Sequence, residues 1–109
     1  MNIIETLPKT FVFNNIIYTL GLHITAFNRL CICYREMFKR DNQITTKILC
    51  SVCVEPENEP LRIEDTIGYF NEYIGNAKTL DNATLMLKNY LEQYIMVDSR
   101  FKLKYNDES

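Results

Sequence analysis

The stretch Ile16-Ile17-Tyr18-Thr19-Leu20-Gly21-Leu22-His23-Ile24 decides the reading of the fold, because large apolar residues fall at every second position. Ile16, Tyr18, Leu20, Leu22 and Ile24 share one side, and Thr19, Gly21 and His23 make a wetter one. That period of two is the signature of a strand with one buried face. Just upstream, Phe11-Val12-Phe13 is separated from it by Asn14-Asn15, a pair that tolerates positive φ, so the two runs predict a hairpin. Downstream, Leu30, Ile32 and Tyr34 alternate with Arg29, Cys31, Cys33 and Arg35 in a third strand. A polar loop near Lys39-Arg40-Asp41-Asn42 leads to a fourth, from Lys47 to Val54.

The segment Glu55-Pro56-Glu57-Asn58-Glu59-Pro60 cannot prolong the sheet, since proline has no amide donor and the acids repel one another. Beyond it the apolar period changes. Ile63, Ile67, Phe70 and Ile74 recur at helical spacing, with Gly75-Asn76 as a left-handed stop. Ala83, Leu87, Tyr90 and Tyr94 repeat that spacing behind a cap at Thr79 or Asp81. Phe101, Leu103 and Tyr105 alternate with Lys102 and Lys104, a pattern that permits a short C-terminal strand. The expected fold is therefore α+β: an antiparallel meander of about four strands followed by two helices packed on one sheet face. A single domain spans 1–109, with its β part at 10–55, its helical part at 60–96 and a frayed tail at 106–109.

Composition narrows the function. At 109 residues with 47% hydrophobic content the chain can bury a core without a disulfide framework. The charge-free run from Thr10 to Asn28 approaches a membrane span in length, but Asn14, Asn15, His23 and Asn28 interrupt it. The residues after Met1 lack a basic n-region, so a secretory signal is not expected and the cytoplasm is the expected compartment. There is no phosphate-cradling glycine loop, no nucleophile elbow and no HExxH pattern, and the one imidazole, His23, lies on a strand. An enzyme is not expected.

All four cysteines fall within 23 residues as two close pairs, Cys31-Ile32-Cys33 and Cys50-Ser51-Val52-Cys53. Four thiolates brought together by a hairpin would bind structural zinc, leaving no open position for a reactive water. Small buried thiols in strands are the competing reading. If Tyr34 faces Cys50 and Ile32 faces Val52, then Cys31, Cys33 and Cys53 share one face and Cys50 points to the other. Zinc then requires residues 50–53 to leave regular strand geometry. In a reducing cytosol the four are read as ligands or packing residues ahead of disulfides.

The net charge of −2 conceals a polarity. Residues 1–54 carry six basic and three acidic side chains, net +3, whereas residues 55–109 carry six basic and eleven acidic, net −5. Glu55, Glu57, Glu59, Glu64, Asp65 and Glu72 concentrate the acidity, opposed only by Arg62, and Tyr69 and Tyr73 lie beside the apolar stripe at i, i+4 as candidate interface anchors. Such a face fits a basic groove that otherwise holds nucleic-acid phosphates. Arg29, Arg35, Lys39, Arg40 and Lys47, with Tyr34 and Phe38 interleaved, form the opposite kind of surface, one suited to phosphates and stacked bases.

In size, acidity, residue bias and α+β layout, and in the acidic run from Glu55 to Glu72, the chain resembles the small phage-encoded anti-CRISPR proteins. That resemblance implies a non-enzymatic inhibitor that binds an RNA-guided nuclease and blocks nucleic-acid loading or a conformational step. The expected function is accordingly a cytoplasmic protein-binding inhibitor, phage or mobile-element encoded, docking its acidic face on a host CRISPR-type nuclease. The alternative is a small zinc-stabilised nucleic-acid-binding or regulatory module.

Overall fold

The computed structural model describes residues 3–24, 29–54 and 73–103. Six strands form one sheet: β1 (Thr10–Phe13), β2 (Ile16–Ile24), β3 (Leu30–Arg40), β4 (Gln43–Val54), β5 (Tyr73–Ala77) and β6 (Phe101–Leu103). Their order is β5-β4-β3-β2-β1-β6, and every pairing is antiparallel except β4 with β5, which is parallel. A 3₁₀ turn, Ile3–Thr6, precedes β1, and helix α1 spans Leu80–Tyr90.

Both hairpin turns follow from their residue types. Asn14 and Asn15 stand at φ 54° and 66°, and Asp41 and Asn42 at 51° and 65°, the paired positive φ of a two-residue turn matched to strand twist. The expected first hairpin forms, with Phe13 opposite Ile16 and Phe11 opposite Tyr18. In the second, strand geometry runs right to the turn, so Lys39 and Arg40 belong to β3 and residues 43–46 to β4 rather than to a loop.

One face of the sheet carries the main core. Phe11, Tyr18, Ile32, Tyr34, Cys50 and Val52 pack with Leu7 and with Ala83, Leu87, Leu91 and Ile95. Phe11 is its aromatic centre, with ring centroids 4.7 Å from Tyr34, 5.4 Å from Phe101 and 5.9 Å from Tyr18. The Tyr34 hydroxyl donates to the Pro8 carbonyl at 2.6 Å, pinning the segment between the 3₁₀ turn and β1. Burial, and secondarily the neighbouring Cys50, pushes the Tyr34 phenol well above its ordinary range, so it stays a donor.

Thr79 caps α1, its hydroxyl accepting from the Asn82 amide at 3.1 Å, and Asp81 and Lys88 sit at the ends that suit the helix dipole. After Tyr90 the helix widens into one π turn, Leu91–Ile95, marked by the Met96 amide bonding the Leu91 carbonyl at 2.7 Å. Beyond it Asp98 takes Arg100 in a two-pronged ion pair, and the Arg100 guanidinium lies 4.7 Å from the Phe13 ring centroid. These contacts deliver β6 to the free side of β1.

The expected four-strand meander with two helices on one face is therefore corrected to a mixed six-stranded sheet with, among the described residues, one helix. Ile74, Gly75 and Asn76, read as the end of a first helix, lie in β5. Ile63, Ile67 and Phe70 of the same stripe fall outside the described residues. The physical reason is non-local: β5 gains a parallel ladder on β4, with Val52 opposite Gly75 and Val54 opposite Ala77, which no local period reveals. The second stripe holds at Ala83 and Leu87, but the π turn rotates it onto Leu91 and Ile95 and leaves Tyr94 61% exposed. The expected C-terminal strand forms as β6.

Candidate functional site

The register of the three central strands sorts the cysteines. Tyr34 stands opposite Cys50, Ile32 opposite Val52, Cys33 opposite Ser51 and Cys31 opposite Cys53. Cys50 thus joins the main core, and Cys31, Cys33 and Cys53 are buried on the second face. Cys31 and Cys53 are joined by a disulfide across a close antiparallel pair whose Cα atoms are 4.1 Å apart. The reading of all four as reduced ligands or packing residues is corrected at this pair. Cys33 and Cys50 are free thiols. Residues 50–53 keep strand geometry, and among the described residues no group of three or more His, Cys, Asp or Glu side chains is disposed to hold a metal ion.

Around the disulfide lies a polar cluster supplied by neighbouring strands. His23 is opposite Cys31, Gly21 is opposite Cys33, and Thr19 is opposite Arg35. Burial lowers the His23 pKa and the Arg35 charge lowers it further. Burial pushes the Cys33 thiol up to about 11, against a smaller opposing pull from Arg35. A thiol so raised is protonated at neutral pH and is a poor nucleophile, so the pairing of Cys33 with His23 on one face is not an activated dyad. The disulfide ties β3 to β4 within this cluster.

Elsewhere the sheet leaves apolar side chains uncovered. The β2 alternation puts Leu20, Leu22 and Ile24 on the side that carries Tyr34, Ile32 and Leu30, yet α1 packs over β3, β4 and β5. Leu22 is consequently 45% exposed and Ile24 58% exposed. The strip continues into a cleft of about 370 Å³ lined by Ile4, Glu5, Leu7, Lys9 and Leu20, between the 3₁₀ turn and β2. The signal in the sequence was an apolar alternation longer than one short helix can cover. A smaller cleft of about 220 Å³ lies between β5 and the helix, lined by Ile74, Met86, Asn89, Tyr90, Gln93 and Tyr94.

The acidic candidates Glu55, Glu57, Glu59, Glu64, Asp65 and Glu72, together with Tyr69, lie outside the described residues; Tyr73 opens β5 opposite Ser51. Tyr34, read as a stacking aromatic on the basic surface, is instead a core residue. Among the described residues no helix is long and apolar enough to cross a membrane. Compared with protein-family models, curated proteins and solved structures, the chain matches none.

Proposed function

We propose that this protein acts by binding another protein, without catalysing a reaction, and that the apolar strip of β2 is its principal contact. The observation that supports this is the continuation of the core face past the helix: Leu22 and Ile24 are exposed beside a cleft whose floor includes Ile4, Leu7 and Leu20. Contiguous apolar surface with a cleft and a charged rim, here Glu5 and Lys9, is the usual form of a protein contact. The partner class is a nucleic-acid-processing nuclease with a basic groove, on the strength of the acidic run at Glu55, Glu57, Glu59, Glu64, Asp65 and Glu72. Acidic residues there speed encounter, and the strip supplies affinity.

Capture of partners from a bacterial lysate, followed by inhibition assays on any nuclease recovered, tests this reading. Leu22→Asp with Ile24→Asp is expected to abolish capture while the thermal melt is nearly unchanged, since both side chains are largely exposed. Capture that survives this double variant removes the strip from the proposal.

A further inference from the structure

The second face of the sheet gathers three sulfurs and the chain's one imidazole. On β3, Cys31 and Cys33 lie on that face two residues apart, and both are buried. Cys53 stands opposite Cys31 on one flanking strand, and His23 stands opposite it on the other. Cys31 is thus the centre of the group. Its Cα lies 4.1 Å from that of Cys53, and at ordinary strand spacings those of Cys33 and His23 lie within about 7 Å. Cys50, the remaining thiol, faces the main core and takes no part.

While the disulfide is closed, two of those sulfurs are bonded to each other, and no group of three or more His, Cys, Asp or Glu side chains among the described residues is disposed to hold a metal ion. Reduction changes the inventory. A dithiol reductant passes two electrons and two protons to the Cys31–Cys53 bond, leaving two thiols here and a disulfide in the reductant. Three thiols and an imidazole then share one face, the donor set of a closed tetrahedral zinc site. The imidazole, the longest of the four side chains, comes from the strand farthest from Cys53, where the longest reach is needed.

We propose that the reduced protein binds one zinc ion through Cys31, Cys33, Cys53 and His23, so that the same cluster carries a disulfide when oxidised and a metal when reduced. Binding converts three thiols to thiolates, releases three protons and leaves the zinc group with one negative charge. Arg35 is placed to offset that charge, because its guanidinium lies against Gly21, the residue opposite Cys33. The two states differ in what they join. The disulfide ties β3 to β4, whereas the metal also takes in β2, the strand that bears the exposed Leu22 and Ile24.

Titration of the full chain with cobalt(II) and then zinc, before and after reduction, tests the site. The reduced protein is expected to take up one equivalent, with the visible bands of tetrahedral cobalt and sulfur-to-cobalt charge transfer, and the oxidised protein none. Cys50→Ser should bind as the parent does. His23→Gln and Cys33→Ser should each weaken zinc binding at least about tenfold, since loss of even an outer-shell partner costs that much. His23 is only partly buried, so its variant keeps the fold and the comparison stays decisive. Reoxidation should release the metal and restore the count of two free thiols. No uptake by the reduced protein, equal uptake by the oxidised one, equal loss in Cys50→Ser and Cys33→Ser, or unchanged binding in His23→Gln would each overturn the assignment.

Discussion

The Arg35 side chain lies against the backbone of Gly21 on the neighbouring strand: a Cβ placed on Gly21 would stand 2.7 Å from the Arg35 Nε and 2.8 Å from its Cζ. A glycine inside a strand commonly marks such a close approach, and here it makes room for a guanidinium seated on the second face. Gly21→Ala should therefore displace the Arg35 head. Because the obstructing atoms end a flexible side chain and alanine relieves the glycine's chain-entropy cost, stability should change by less than about 1 kcal/mol. Gly21→Val leaves the guanidinium less room and should cost more. Chemical denaturation of both variants checks the ranking.

His23 links this cluster to pH. Its pKa is lowered from 6.5 by burial and by Arg35. The unfolded chain therefore takes up a proton before the folded one does as pH falls. Stability should be full above about pH 6.5 and decline below it, until the folded imidazole itself protonates. Arg35→Gln removes the smaller of the two causes, and an NMR titration of the imidazole should show its midpoint move upward. His23→Gln should flatten the decline in stability, and a decline that persists unchanged would assign it to other groups.

The cysteine arrangement predicts a definite thiol count. Two cysteines should label after denaturation without reductant, and they should map to Cys33 and Cys50. In the folded protein at neutral pH both should react slowly, since they are buried and Cys33 is pushed up to about 11. Replacing Cys31 and Cys53 together with Ala should lower stability by about 3 kcal/mol, the chain-entropy value for a loop of this separation. Four reactive thiols accompanied by one equivalent of zinc would instead establish the four-thiolate site.

The π turn makes two neighbouring residues unequal. Leu91→Ala opens a cavity against the sheet and should cost about 2–5 kcal/mol, whereas Tyr94→Ala, on an exposed ring tilted against Tyr90, should cost less than about 1 kcal/mol. Thr79→Ala removes the cap and should cost about 1 kcal/mol. Thermal melts of the three variants test this order, and an equal loss at Leu91 and Tyr94 would contradict the rotated stripe.

What could be read directly from the chain was local. The alternation through Ile16–Ile24, the Asn14-Asn15 turn and a helix start at Thr79 or Asp81 each name their structure because the cause lies within a few residues, and the structure selects Thr79 as the cap. The face assignment of the cysteines was legible for the same reason: strand parity follows from one correct pair, Tyr34 with Cys50. The identity of Tyr73–Ala77 was not legible, because its strand character depends on a parallel neighbour about twenty residues earlier. Nor does apolar spacing announce the π turn that moves Tyr94 into solvent. The exposed apolar strip was half visible: Leu22 and Ile24 were placed on the core face, but only the extent of α1 leaves them uncovered.

The position of β6 closes the sheet edge that β1 would otherwise leave open. Phe101 stands beside Phe13, and its ring packs on Phe11, although nearly the whole chain separates them. The antiparallel strands β1 to β4 are closed by short turns or neighbouring pairings and can form early, while β1 remains an unpaired edge bearing two phenylalanines. That edge is covered only when Asp98 and Arg100 turn the chain back onto it. In the order of synthesis β1 precedes Phe101–Leu103 by nearly the whole chain, so the β1 edge has no partner on that side until those three residues have been made.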